Sequence, residues 1–323
     1  MAVQKKVIVT GGLGFIGSYY VKKLLDKGYS VVNIDKVTYA ARRDLDFENY
    51  PNYEFIREDI CNLAHLPPGA DYLVNFAAES HVDNSITANE VFFESNVKGV
   101  YNLLELLRSK DPTDRPVFIQ ISTDEVYGDI MEGSSKEEDR LNPSNPYSAS
   151  KAAAEELIRG WARTYGIKFK ICRSSNNYGF GQYPEKLIAK TISLAEKDIK
   201  MTVHGDGSYE REWTYVEDNC EAIFMVMEQG VSGGIYNISS GEMLANLEIV
   251  KKVLKAMGKP ENFFEFVGNR IGQDIRYSIN SEKIRKLGWK PTVNLEEYLP
   301  KYIKLINTPH KSPYKKIPSP LKK

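Results

Sequence analysis

Cysteine is scarce in this 323-residue chain: Cys61, Cys172 and Cys220 stand far apart, in no C-x-x-C arrangement. That spacing excludes a disulfide framework and a thiolate metal site, and it fits a reducing cytoplasm. Four scattered histidines offer no metal cluster either. Charge of one sign is also missing. Lys and Arg number 43 and Asp and Glu number 43, a formal net charge of zero. A dedicated nucleic-acid binder needs a basic surplus against phosphates, so that class is excluded, while a local basic pocket for a phosphorylated ligand is not. No apolar run approaches the roughly 20 residues of a membrane helix. The apolar stretch near the N-terminus is cut off at Gly11, too early for a signal peptide. The expectation is a cytoplasmic protein with no membrane or nucleic-acid partner.

What is present is an ordinary globular balance, 42 % apolar and 27 % charged, in a chain long enough to bury a large core. Short apolar runs at 6–10, 30–35, 53–56, 72–76 and 117–121 read as strands. Helical periodicity fills most of the gaps, at 15–27, 97–107 and 149–165. Strands alternating with helices predict an α/β fold built on a doubly wound parallel sheet. After about residue 175 the alternation loosens, with helical signals at 186–196, 218–227 and 247–257. The expected division is a nucleotide-binding region over 1–175 and a smaller mixed substrate region over 176–307, some of whose segments return to the first. The last stretch, 308–323, holds four prolines, five lysines and no acid. It reads as a flexible basic tail, with a docking tail as the alternative.

Gly11, Gly14 and Gly17 stand at G-x-x-G-x-x-G spacing between the first strand and the first helix. This is the context of a dinucleotide site: a tight turn, a close approach of pyrophosphate to backbone, and a helix N-terminus facing the phosphates. Phe15 and Ile16 belong to the same segment. Asp35 ends the second strand, 18 residues after Gly17. An acid there accepts from the adenosine ribose hydroxyls and repels a 2′-phosphate, which selects NAD over NADP. Lys36 flanks it, and Asp59-Ile60 follows the third strand where the adenine edge is read. As a lone acid, Asp59 fits a structural role equally well.

Tyr147 and Lys151 form a Y-x-x-x-K pair on one helix face. An ammonium beside a phenol lowers its pKa and makes a usable base. Just past the strand at 117–121 come Ser122-Thr123-Asp124-Glu125. Polar groups at a strand's carboxyl end lie where open α/β sheets bind ligands. Thr123 can donate to the oxygen being oxidised. The adjacent acids Asp124 and Glu125 fit a solvated turn by themselves. In a site of this kind they suit an enzyme that also eliminates water.

The chain resembles the extended short-chain dehydrogenase/reductases, and among them the nucleoside-diphosphate-hexose 4,6-dehydratases. The resemblance rests on TGGLGFIGS (10–18), NIDKVTYA (33–40), FAAESHVDNSI (76–86), STDEVYGD (122–129), PYSASKA (146–152), RSSNNYG (173–179), YPEKLI (183–188), REWTYVED (211–218), IGQDIRYSIN (271–280) and KLGWKP (286–291). It implies a Rossmann domain, bound NAD recycled within each turnover, and a homodimer. Ala77 is implied at the cofactor. Tyr147 would take the proton of the sugar's 4-hydroxyl as hydride leaves carbon 4. Glu125 would then remove the carbon 5 proton, and Asp124 would protonate the departing 6-hydroxyl. Asn177, Arg211 and Asn246 would hold the diphosphate, Glu185, Lys186 and Leu187 the nucleoside, and His81 and Ser85 would flank the sugar.

His204 and Arg270 are implied substrate contacts as well, and three departures concern the nucleotide and sugar pocket: His204 stands where tyrosine is usual, Gly181-Gln182-Tyr183 precedes the P-E-K-L stretch, and Gln273 replaces histidine three residues after Arg270. The implied substrate is dTDP-glucose, with UDP-N-acetylglucosamine and UDP-glucose as alternatives. A sugar-nucleotide 4-epimerase and a non-catalytic NAD-binding regulator are the competing readings.

Overall fold

The computed structural model describes residues 4–269 and 271–307. Arg270 and the stretch 308–323 lie outside the described residues. The first half alternates as expected: β1 (Lys6–Thr10), α1 (Phe15–Asp26), β2 (Ser30–Ile34), β3 (Tyr53–Ile56), β4 (Tyr72–Asn75), α2 (Val82–Thr87), α3 (Asn89–Phe92), α4 (Gly99–Arg108), β5 (Val117–Thr123), α5 (Pro146–Tyr165) and β6 (Phe169–Ser174). The second half holds β7 (Asn176–Tyr178), α6 (Leu187–Glu196), β8 (Met201–His204), β9 (Glu210–Tyr215), α7 (Val216–Gln229), β10 (Gly234–Ile238), β11 (Met243–Ala245), α8 (Asn246–Ala256), β12 (Phe264–Val267), α9 (Glu282–Lys286) and α10 (Leu295–Asn307).

Seven strands form one parallel sheet in the order β10-β6-β5-β4-β1-β2-β3. Its inner strands are buried on both sides and read as near-continuous apolar runs, as parallel sheets require, while the edge strand β3 exposes Glu54 and Phe55. On one face α1 and α7 pack through Tyr20, Val21, Leu24, Ile223 and Val226. On the other, α4 and α5 bring Leu103, Leu104, Leu107, Ala154 and Ile158. The strand order reverses between β1 and β4, which opens a crevice at their carboxyl ends. The remaining strands form a three-stranded sheet, β11-β9-β7, and the pair β12-β8, beside those carboxyl ends.

Buried polar side chains fix the strand ends around the crevice. Thr10 Oγ1 donates to Asn75 Oδ1 (2.5 Å), and Asn75 Nδ2 donates to Gln120 Oε1 (2.8 Å), linking β1, β4 and β5. The fully buried Glu155 on α5 takes Arg173 of β6 in a fork, with the closest contact at 2.6 Å, and accepts from Ser122 Oγ at 2.5 Å. This network ties the helix of Tyr147 and Lys151 to the strand that ends at Thr123. Arg173→Met strands the Glu155 carboxylate in the core. The expected loss is about 3–5 kcal/mol, read as a lower denaturation midpoint in urea.

Candidate active site

The glycine turn meets its steric requirement. Gly11 has φ +71°, and a β-carbon on Gly17 would overlap the Gly11 carbonyl oxygen, so α1 and β1 approach as closely as they do only without side chains. Gly14 is the N-cap of α1, no side chain caps it, and the first turn carries no acid. The helix therefore offers open N–H groups and its partial positive end to an anion. Asp35, nearly buried, accepts from Leu13 N at 2.9 Å and Val37 N at 2.8 Å. Each of its oxygens keeps a second lone pair for a ligand hydroxyl. Lys36 turns to Asp59 (3.4 Å) and Ser95 Oγ (3.0 Å) instead of standing free in solvent. Burial raises the Asp59 pKa, but the Cys61 N–H and Lys36 outweigh it and hold the carboxyl below its ordinary value.

Asn145 caps α5 reciprocally with Ser148, Pro146 occupies its first turn, and Gly166 ends it in the left-handed region. The helix thus begins three residues before the expected 149 and carries Tyr147 in its first turn. Lys151 lies one turn on, and its Nζ donates to the Ile121 carbonyl at 2.6 Å. Burial lowers the Lys151 pKa to about 8, against an opposing pull from Glu155. Tyr147 departs from expectation. Burial first, then Glu125 and Asp124, push its phenol far above the ordinary value, with only Thr123 pulling it down. The ammonium meant to lower it is drawn to a backbone carbonyl.

Asp124 and Glu125 open a short 3₁₀ turn after β5 and part ways. Glu125 lines the cleft, whereas Asp124 is 1 % exposed beneath it. Burial, then Glu125 and Glu212, raise the Asp124 pKa well above its ordinary value. Its Oδ1 takes the Thr123 hydroxyl at 3.1 Å, and among the described residues its Oδ2 has no partner. A carboxyl shifted in that direction holds its proton to higher pH and is better suited to deliver it.

One cleft of about 450 Å³ gathers all the sequence-predicted cofactor residues, and Thr123, Glu125, Tyr147 and Lys151 with them; of the predicted catalytic residues, Asp124 alone does not line it. Of the predicted substrate residues it gathers His81, Asn177, Glu185, Lys186, Leu187, His204, Arg211 and Asn246. Ser85 is a correction. It lies fully buried within α2, its hydroxyl donating to the Val82 carbonyl at 2.7 Å, so it does not reach the cleft. A second, more open concavity, between α5 and the β6–β10 edge, is lined by none of these residues.

In the substrate half one cation stands without an acidic partner. The Arg211 guanidinium, 6 % exposed, donates to the backbone carbonyls of Glu210, Ile275 and Asp274 and stacks on Tyr277 at 4.2 Å. No carboxylate among the described residues lies within ion-pair distance of it. Asn177 Oδ1 and His81 Nδ1 are buried without partners among those residues. Burial and Lys186 lower the His81 pKa, so the imidazole is neutral near pH 7.

Sequence reasoning missed Asn96. It sits in a π-helical turn, Phe93–Lys98, and its amide bridges Glu79 N and O (both 2.9 Å) and Ser150 Oγ (2.9 Å), next to Lys151. A π-turn often marks a functional site, but no periodicity in the sequence announces it.

A sequence profile of the GDP-mannose 4,6 dehydratase family matches residues 8–302. The chain belongs to that family. Among its relatives in the family is the low-salt glycan biosynthesis protein Agl12 of Haloferax volcanii, 48 % identical, with 91 % of this chain and 96 % of that one covered. The dTDP-glucose 4,6-dehydratase of Haemophilus influenzae is 40 % identical, covering 92 % and 96 %. The structure of DesIV, a dTDP-glucose 4,6-dehydratase from Streptomyces venezuelae with NAD and TYD bound, superposes with a TM-score of 0.87 at 38 % identity, covering 93 % and 96 %. A UDP-glucuronic acid 4-epimerase from Bacillus cereus, with UDP-glucuronic acid and NAD, reaches 0.85 at 28 %, covering 93 % and 99 %. The dehydratase resemblance read from the motifs is borne out. Backbone shape alone does not separate this family from the epimerases.

Proposed function

We propose that the protein is an NAD-dependent nucleoside-diphosphate-hexose 4,6-dehydratase, a hydro-lyase acting on dTDP-glucose. The reading is carried by Asp124, a buried acid with a free oxygen, set beside the cleft-lining Glu125 and close to Tyr147. Epimerisation at carbon 4 has no use for that pair. Residues 1–175 would hold NAD and 176–307 the sugar nucleotide. The uncapped start of α1 fits the pyrophosphate, Asp35 the adenosine ribose, and Asp59 and Ile60 the adenine. Bound NAD would supply a hydride acceptor for carbon 4 and return the hydride to carbon 6, ending each turnover unchanged.

The chain's own groups handle the protons. Thr123 and Tyr147 take hold of the 4-hydroxyl, and Tyr147 accepts its proton. The carbonyl so formed acidifies carbon 5, whose proton passes to Glu125. Asp124 protonates the 6-hydroxyl, the carbon–oxygen bond breaks, and water leaves. Glu125 returns the proton to carbon 5, and loss of the Tyr147 proton to solvent with uptake of one by Asp124 restores the site. Arg211, Asn177 and Asn246 hold the diphosphate. Arginine suits that place because its planar fork pairs with phosphate oxygens.

UDP-N-acetylglucosamine and UDP-glucose remain a second substrate reading, because His204 and Gln273 both line the cleft where they depart from the dTDP-glucose pattern. We place the enzyme in the cytoplasm as a homodimer. No helix among the described residues is long and apolar enough to cross a membrane, and the exposed Val91, Phe93, Tyr101 and Tyr165 offer an apolar face for a second copy.

The experiment is a turnover panel of dTDP-glucose, UDP-glucose, UDP-N-acetylglucosamine, CDP-glucose and GDP-mannose, alongside assay of nucleotide freed by denaturing the purified protein. The expected result is NAD in the supernatant and an alkali-absorbing 4-keto product from one sugar nucleotide. An epimer without a 4-keto product moves the assignment to a 4-epimerase. NAD without turnover of any sugar nucleotide leaves the regulator reading.

A further inference from the structure

Three loops join over the outer edge of the cleft. The first, a strap over 36–42, leaves β2 after Asp35 and is pinned at both ends: Val37 N–H donates to Asp35 Oδ1 at 2.8 Å, and Arg42 N–H to the Leu13 carbonyl at 2.7 Å. Val37 has φ +62°, a left-handed backbone that a β-branched residue keeps only under constraint. Thr38, Ala40 and Ala41 line the cleft together with the glycine turn, but Tyr39 does not. Its hydroxyl donates to Glu185 Oε2 at 3.0 Å and accepts from Asn84 Nδ2 at 3.3 Å. Its ring meets Tyr183 edge-on, with centroids 5.1 Å apart. Burial, then the Glu185 charge, keep the phenol far above its ordinary pKa, so it stays a neutral donor. The second loop, 179–186, which carries Tyr183 and Glu185, is tied to the third, 76–81, with the Glu185 carbonyl at 3.2 Å from His81 Nε2 and Lys186 Nζ donating to the Ser80 carbonyl at 2.6 Å.

We propose that Tyr39 is a positioning residue that latches the cofactor strap to the substrate loop, so that a nucleoside diphosphate held in one half slows release of the dinucleotide from the other. This rests on the assignment of the two halves to NAD and a sugar nucleotide. The strap and the glycine turn line one cleft, so a dinucleotide between them leaves only when the strap lifts. Lifting it breaks the Tyr39–Glu185 bond. Glu185 and Lys186 line the substrate half, and a ligand that orders them holds the far side of the latch in place. Linkage then requires the converse: bound dinucleotide tightens the nucleoside diphosphate by the same factor.

The test loads the protein with NADH, chases with excess NAD, and follows loss of bound NADH fluorescence with and without dTDP. In the wild type, dTDP slows release several-fold. Tyr39→Phe keeps the ring against Tyr183 and removes only the hydroxyl. It is expected to release NADH about 5–10-fold faster, the equivalent of one lost hydrogen bond, with the dTDP effect largely gone and a melting midpoint lowered by no more than about 2–4 °C. Calorimetry of dTDP binding, with and without NAD, gives the reciprocal factor in the wild type and its loss in the variant. Equal release rates and equal dTDP dependence in the two proteins overturn the latch while leaving the proposed function intact. A wild type that binds neither NADH nor dTDP overturns the proposed function, and the latch with it.

Discussion

Tyr147→Phe is expected to lower 4-keto product formation by roughly 10²–10⁴-fold, the range for losing a positioned acid or base. The side chain stands in the first turn of α5, held there by the Asn145–Ser148 cap, against Phe92 at 6.3 Å between ring centroids. Phenylalanine keeps that packing and removes only the acceptor. Without it the 4-hydroxyl keeps its proton, so no reduced-nicotinamide absorbance develops on mixing with substrate. Lys151 sets the pH window. Its pKa is lowered to about 8, so its charge is complete well below that pH and is lost as pH rises through it. In the protein by itself only Thr123 pulls the phenol down; bound NAD would bring a positive nicotinamide ring that, with the Lys151 charge, opposes the carboxylates and the burial. Turnover therefore falls on the alkaline side near pH 8. In Lys151→Arg, whose charge persists, any residual activity lacks that limb. Wild-type turnover by Tyr147→Phe would remove the base assignment.

The sheet and its main helices were legible because a buried parallel strand and an amphipathic helix each leave a local pattern. The strands at 53–56 and 6–10 agree with β3 and β1, and α7 and α8 differ from their expected spans by a residue or two. What depended on tertiary structure was not legible. β10 returns to the edge of the main sheet beside β6, a pairing across some 60 residues that no window in the sequence reports. The three-residue strands β7 and β11 carry too few side chains to show a period. The start of α5 was legible in principle, since Asn145-Pro146 is a cap followed by a first-turn proline. Within the site, motif spacing located the groups but not their surroundings. Asp124 and Glu125 look alike in sequence, yet one is under the cleft floor and the other on it. Ser85 follows the pattern of a site residue, but its hydroxyl is spent on its own helix. The direction of the Tyr147 shift depends on where the Lys151 ammonium finds its nearest acceptor, which spacing does not say.

The difference between the two acids gives the second large effect. Asp124→Asn keeps size and the Thr123 contact but has no proton to deliver to a departing hydroxyl. Glu125→Gln cannot accept the carbon 5 proton. Each is expected to slow product formation by roughly 10²-fold or more. Neither touches the proton on the 4-hydroxyl, so the first oxidation still runs in both, and reduced-nicotinamide absorbance should build up on mixing with substrate. The two variants then diverge. Glu125→Gln stops exchange of the carbon 5 hydrogen with deuterated water, because that proton never leaves. Asp124→Asn allows exchange, because Glu125 still takes the proton and returns it while the hydroxyl stays in place. The pH response separates them as well. Asp124 is useful only while protonated, and its pKa is raised first by burial and then by Glu125 and Glu212. Glu125→Gln removes one of those negative charges, so the Asp124 pKa falls and the residual elimination shifts to lower pH. Glu212→Gln, acting from β9 with the chemistry untouched, should move the same limb in the same direction. If both acid variants turn over at the wild-type rate, the pair takes no part in an elimination, and the site does no more than oxidise and reduce carbon 4.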